Sequence, residues 1–95
     1  MVVGICRIEL RIHQAQSLKS KRQVIRRIKD RVKNKFNVSI AEVGENDKWQ
    51  RALLGLALVG NDRRQINSAL NAVTSYIENL NAAEIINSDF EIINC

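Results

Sequence analysis

The sequence predicts an α+β protein in which a four-stranded antiparallel sheet carries two helices on one face, in the order βαββαβ. Four short segments show the two-residue alternation of strands, and two longer ones show the apolar spacing of amphipathic helices. The chain contains no proline, which agrees with short and regular connections. Its 95 residues suit one domain that spans residues 1–95.

The first half of the chain predicts a strand, a helix and the start of a hairpin. Residues 2–12 alternate, with Val2, Cys6, Ile8, Leu10 and Ile12 on one side. Ser17 is a suitable N-cap for a helix that begins at Leu18. The apolar stripe of this helix consists of Leu18, Ile25, Ile28, Val32 and Phe36. A short strand over residues 38–43 follows.

The second half predicts a long strand, a second helix and a last strand. Residues 50–59 are apolar enough for a central strand, and Asp62 then caps a helix. Its apolar stripe is Ile66, Leu70, Val73, Ile77 and Leu80. The last strand covers residues 84–93, with Ile86, Phe90 and Ile92 expected to face the helices. Strand, helix, hairpin, helix and strand form the split βαβ pattern of ferredoxin-like domains.

The first helix carries a concentrated positive charge. Nine of the 15 Lys and Arg residues lie between residues 19 and 35, where Asp30 is the only acid. At about 100° per residue, five of them fall within about 80° of one another, beside the apolar stripe. We call this set the basic edge: Lys19, Arg22, Arg26, Lys29 and Lys33. Interleaved glutamates would relieve the repulsion between these cations, but the helix has none.

The basic edge predicts a surface that binds the phosphates of RNA, because each Lys or Arg contact releases counterions and adds sequence-independent affinity. Lys21 is assigned to the same site, since Lys19 and Lys21 would add to the positive end of the helix dipole. The pI of 9.7 agrees with this assignment. The alternative is a solvated face that only keeps the protein in solution. Base stacking on the sheet is not expected, because the middles of the first and third strands lack aromatic residues.

The outward positions of the first and third strands are unusually apolar for a surface that meets water. They are Val3, Ile5, Leu53, Gly55, Ala57 and Val59. We expect a partner to cover them, most economically in a homodimer packed sheet to sheet; partial exposure of small residues is the alternative. Trp49 could anchor such a contact or close one end of the core, and the high average burial of tryptophan favours the second interpretation.

The sequence contains no arrangement typical of an enzyme or a cofactor site. We find no nucleophile with its base, no carboxylate pair and no phosphate loop. Cys6 and Cys95 form neither a CxxC pair nor a disulfide framework, and with His13 as the only histidine no metal site is expected. We see no signal peptide and no apolar run of about 20 residues, so we expect a cytoplasmic protein that does not contact membranes.

Four motifs resemble those of the YlxP-like family of small bacterial proteins of unknown function. They are Ser17–Arg22, Phe36–Val43, Asp47–Arg51 and Gly60–Arg63. The likeness covers nearly the whole chain in order. The resemblance implies a ferredoxin-like fold and a gene that often lies beside those of translation and ribosome-maturation factors. It implies no established activity and supplies no catalytic residues.

Two functional hypotheses from different classes follow. The first is a non-enzymatic protein that associates with RNA near the ribosome through the basic edge. The second is a protein-interaction or regulatory module that dimerises through the open sheet face and has no nucleic-acid role. Salt distinguishes them, because phosphate contacts weaken steeply with ionic strength and a hydrophobic interface weakens much less. A small-molecule enzyme is a third hypothesis, and it would need a pocket that a sequence does not display.

Overall fold

The chain folds as four strands and two helices in a computed structural model that describes residues 1–95. The elements are β1 (Val2–Arg11), α1 (Leu18–Lys35), β2 (Ser39–Gly44), β3 (Arg51–Gly60), α2 (Arg63–Asn79) and β4 (Glu84–Asn94). The strands form one sheet in the order β2-β3-β1-β4, and every neighbouring pair is antiparallel. The predicted ferredoxin-like βαββαβ architecture is confirmed, and the predicted element boundaries agree to within one residue.

Side-chain caps fix the starts of both helices, as predicted. Ser17 Oγ accepts from the backbone N–H of Ser20, and Ser20 Oγ accepts from the backbone N–H of Ser17, so the two residues form a capping box. Asp62 Oδ1 accepts from the backbone N–H of Arg64 at 2.8 Å. Each cap stabilises its helix by about 1 kcal/mol. Neither helix has the length and apolar character that a membrane-spanning segment needs.

One core of 18 buried apolar residues lies between the sheet and the two helices. The inward residues of β1 and β3 pack there against the apolar stripes of α1 and α2. Gly4 brings α2 close to β1, because a Cβ at this position would lie 2.5 Å from Ile66 Cγ2. Only glycine therefore permits this approach.

A β-bulge in β4 changes which residues face the helices. The register against β1 shifts between Glu9 and Leu10, so that Ile85 lies opposite the buried Leu10 and Ile86 becomes the extra residue. Ile86 is 41% exposed, and the prediction that it faces the helices is wrong because a one-residue shift exchanges the two faces of a strand. Phe90 lies opposite Cys6 on the helix side, as predicted.

The two cysteines are both free and differ in their surroundings. Cys6 is buried beneath α2, whereas Cys95 is exposed at the end of the chain. Burial raises the pKa of the Cys6 thiol, which keeps it protonated at neutral pH and therefore poorly nucleophilic.

We expect one thiol per native chain to react rapidly with an aromatic disulfide reagent, and two thiols after denaturation, because only Cys95 is accessible. Absorbance of the released thiolate measures the count. A Cys95→Ser variant is the control and should show no rapid phase. Rapid reaction of Cys6 in that folded variant would contradict its burial.

Candidate nucleic-acid interface

The basic edge lies on an accessible flank of α1 and carries uncompensated charge. Four of its five residues are exposed, and Lys29 is partly buried. The basic partners in the four close acid–base contacts of the structure are Arg7, His13, Lys21 and Arg51. No carboxylate therefore neutralises the basic edge at close range, and its five charges remain available to an external anion.

The basic edge faces the β2 side of the molecule. Lys19, Arg22, Gln23 and Arg26 line an open depression of about 390 Å³ that contains no apolar side chain. One turn beyond Lys29, Lys33 borders a second depression, of about 470 Å³, with residues of β2 and β3. A bound strand would thus find cations in two successive depressions along one side of α1.

The remaining exposed cations of α1 lie on its opposite flank, toward α2. Lys35 Nζ lies 5.1 Å from the centroid of the Tyr76 ring, a cation–π contact with α2. Arg27 and Arg31 line a smaller cavity with Leu80, which follows α2. The helix therefore presents two separate groups of cations, and the basic edge is the group that faces away from α2.

Lys21 does not belong to this surface, and its assignment as an RNA contact is wrong. Its side chain is 1% exposed. Its Nζ donates to the backbone carbonyl of Glu45 at 2.6 Å and lies 2.8 Å from Glu42 Oε2. Glu42 Oε2 accepts no well-directed hydrogen bond, so its contact with Lys21 is mainly ionic. The helical period explains the burial, because Lys21 continues the apolar stripe one turn before Ile25.

A capping box occupies part of the N-terminus of α1. The side chain of Ser20 accepts from the backbone N–H groups of Gln16 and Ser17, and Ser17 accepts from the N–H of Ser20. Of these amides only that of Ser20 belongs to the helix, so the N–H groups of Leu18 and Lys19 are not occupied by the cap. The contribution of the helix dipole stays a prediction, and Lys19 beside it is exposed.

Three of the four motifs that resemble the YlxP-like family meet at this end of the fold. Lys21 of the first motif forms an ion pair with Glu42 of the second. Gln50 of the third donates to the backbone carbonyls of His13 and Ala15, both at 3.2 Å. The hairpin turn contains Glu45 in the left-handed region, at φ 62°, and Lys21 holds its carbonyl. These motif residues therefore stabilise the connections around the start of α1.

The open sheet face is apolar at one end and charged at the other. Val3 lies opposite Val59, and Ile5 lies opposite Ala57. We call these four residues the apolar patch, in which Val59 is 67% exposed. Farther along the face, ion pairs cross between strands: Arg7 with Asp89 and Arg51 with Glu9. Leu53 lies in this charged half, opposite Glu9.

Trp49 does not close the core and does not join the apolar patch. It is 55% exposed, so its interpretation as a lid is wrong. It precedes the first residue of β3, whereas Val59 lies near the other end of that strand. At about 3.3 Å per strand residue, the two side chains are roughly 30 Å apart. Trp49 and the apolar patch are therefore separate surfaces.

The side chain of His13 contacts the carboxylate of Glu84. Its Nε2 lies 2.7 Å from Glu84 Oε1, and both side chains are exposed. A carboxylate at this distance repels phosphate, so His13 is a poor anion contact. The sequence did not indicate this partner, because 71 residues separate the two side chains.

The fold and the basic edge together define a small ferredoxin-like protein with one cationic helix. Residues 3–90 match the family described as "Protein of unknown function (DUF503)", and the chain belongs to this family. It is 46% identical over 77 residues to "Uncharacterized protein YlxP" of Bacillus subtilis (strain 168), which covers 81% of this chain and 84% of that protein. The resemblance noted in the sequence is thereby confirmed.

Two designed proteins are similar to the chain in structure. The de novo protein Foldit4 has a TM-score of 0.51 and 18% identity, with 99% of this chain and 97% of that chain covered. The de novo protein LFR1 1, described as having a ferredoxin fold, has a TM-score of 0.53 and 13% identity, with 98% and 83% covered. At these identities the similarity shows the fold alone.

Proposed function

We propose that this protein binds RNA through the basic edge without catalysing a reaction, and that it acts in the cytoplasm near the ribosome. The observation that supports this most strongly is the set of five neighbouring cations without an ion pair. Such a set loses charge repulsion when it binds a polyanion. The implied gene neighbourhood of the family adds a reason to look for the partner among ribosomal or translation-associated RNAs.

The proposed contact is to the RNA backbone. From Lys19 to Lys33 the basic edge extends about 21 Å along the helix axis, with a cation every three or four residues. No aromatic side chain belongs to this surface, so bases would not stack on it. Contacts of this kind fix the position of an RNA and carry little sequence information. We therefore expect weak discrimination between RNA sequences of equal length and shape.

Fluorescence anisotropy with labelled RNA tests the proposal. The protein is titrated into a short duplex RNA and a single-stranded RNA of the same length, at about 50 mM salt, where phosphate contacts are strongest. We expect saturable binding of at least one form, with little change when the RNA sequence is scrambled. Absence of binding to both forms at this salt concentration would contradict the proposal and leave the basic edge as a solvated surface.

A homodimer packed sheet to sheet is a second proposal, and it can hold with or without the first. The exposure of Val59 beside Val3, Ile5 and Ala57 favours it, because water contacts an apolar patch that a second copy could cover.

We expect light scattering at micromolar concentration to give about twice the single-chain mass of 10.8 kDa. Val59→Lys should reduce the mass to one chain, because it places a charge in the apolar patch. Ala72→Lys is the matched control, since it adds the same charge at an exposed position of α2. A single-chain mass for the unsubstituted protein would exclude the dimer.

A further inference from the structure

An aromatic side chain on the helix side of the sheet is left uncovered. Phe90 lies opposite Cys6, on the side where the core forms, yet it is 47% exposed. It borders a cavity of about 560 Å³ between β4 and the first turns of α2. The lining residues are Arg63, Arg64, Asn67, Phe90, Glu91 and Ile92.

The side chains that α2 places beside β4 explain why the cavity is open. Ile66 packs against Gly4 of β1, so its apolar side chain lies in the core. The flank of α2 toward β4 then carries Arg63 and Asn67, which are polar and exposed. No apolar side chain of the helix covers the Phe90 ring, so the ring remains available to a ligand.

The polar groups of the cavity are suited to a phosphate and a base edge. Arg63 Nη1 donates to the backbone carbonyl of Ile92 at 3.3 Å, which fixes this side chain across the groove and leaves its other N–H groups free. Arg64 makes no ion pair, and the Asn67 amide makes no hydrogen bond. Glu91 lies opposite Ile5, so its carboxylate belongs to the open sheet face and leaves the two arginines as the charged side chains of the cavity.

We propose that this cavity binds a nucleoside phosphate. The base would stack on Phe90, the phosphate would pair with Arg63 and Arg64, and the Asn67 amide would supply a donor and an acceptor to the base edge. The cavity volume falls within the range of about 300–1,000 Å³ typical of small-ligand sites. Two arginines and an asparagine in the lining favour this ligand over an apolar peptide.

The proposed site is distinct from the basic edge. Its nucleotide can be free or part of an RNA strand. β4 and β2 are the two edges of the sheet, and the basic edge lies on the β2 side whereas the cavity lies at β4. The proposal therefore does not depend on RNA binding by α1. Substitutions at one site should leave the other unchanged.

Titration of adenosine 5′-monophosphate into ¹⁵N-labelled protein, followed by two-dimensional NMR, tests the site. We expect saturable shifts of the Asn67, Glu91 and Ile92 amides, and weaker binding of adenosine and of ribose 5-phosphate, which lack one half of the ligand. Phe90→Leu should weaken binding about 10-fold through loss of stacking, and Arg64→Gln should weaken it as well. The dispersion of the spectra reports whether each variant is folded.

The control variant Arg26→Glu with Lys29→Glu should bind the nucleotide with unchanged affinity. A triadenylate that binds more tightly than the mononucleotide at the same amides would identify an RNA strand as the source of the ligand, and weaker binding would identify the free nucleotide. Absence of shifts at these amides at millimolar nucleotide, or full affinity in folded Phe90→Leu, would overturn the proposal.

Discussion

Replacing Lys21 with methionine should lower the free energy of unfolding by about 3 kcal/mol, because the change leaves a carboxylate in a partly buried position without its cation. The Glu45 carbonyl in the hairpin turn also loses its donor. For a domain of this size, a loss of that magnitude lowers the melting temperature by roughly 12–24 °C. Urea denaturation followed by circular dichroism measures the effect directly.

Two controls separate the buried ion pair from a general effect of losing a lysine. Lys19→Met removes an exposed cation two residues away and should change stability by less than about 0.5 kcal/mol. Combining Lys21→Met with Glu42→Leu should restore much of the loss, because an apolar pair can replace a buried ion pair at little cost. Equal stability of the Lys21→Met and Lys19→Met variants would show that Lys21 is not buried.

Reversing two charges of the basic edge, by Arg26→Glu with Lys29→Glu, should weaken RNA binding by roughly 100-fold or more. Two charged contacts worth about 1.5 kcal/mol each would be lost, and two repulsive charges would be gained. Fluorescence anisotropy with the same labelled RNA measures the change. Both side chains lie outside the buried core, so we expect the circular dichroism spectrum of the native protein.

The matched control reverses two arginines on the other flank of the same helix, Arg27→Glu with Arg31→Glu. This double variant changes the net charge by the same amount and also replaces two basic side chains by glutamate, but at positions that face α2. We expect only a few-fold loss of affinity, from the general change in potential. An equal loss in both double variants would indicate that total charge, and not the basic edge, attracts the RNA.

The proposed surfaces are compatible with one another. A dimer through the open sheet face would leave both helices of each chain on the outside, since they cover the opposite face of the sheet. The basic edges of the two copies would then remain accessible as far as Lys29, whereas the depression beside Lys33 shares Ala57 and Val59 with the apolar patch and would be partly covered. The contacts of a long RNA could still be multiplied by bivalency. The cavity beside Phe90 also lies on the helix side and would stay open.

Local patterns were enough to predict the fold. The alternation in β1 and the spacing of apolar residues in α1 and α2 identified the buried face of each element. Ser17 and Asp62 marked where the helices begin. These signals act over a few residues and agree with one another, so the order of elements left little choice of topology.

The candidate sites were predicted less completely because they depend on tertiary contacts. The charge of Lys21 suggested that it is exposed, whereas the helical period places it in the apolar stripe. It is buried because Glu42, which is distant in the sequence, pairs with it. The bulge that exposes Ile86 has no local signature in the sequence. The exposure of Phe90 follows from the polar residues that α2 places beside β4, which the alternation of β4 does not encode.

The most direct test of the central proposal is the dependence of RNA affinity on salt. If the five cations of the basic edge each neutralise one phosphate, the logarithm of the association constant should fall against the logarithm of salt concentration with a slope of about −3.5 for single strands and about −4.5 for duplex. The variant Arg26→Glu with Lys29→Glu should give a clearly shallower slope. A slope near zero for the unsubstituted protein would contradict RNA binding through the basic edge.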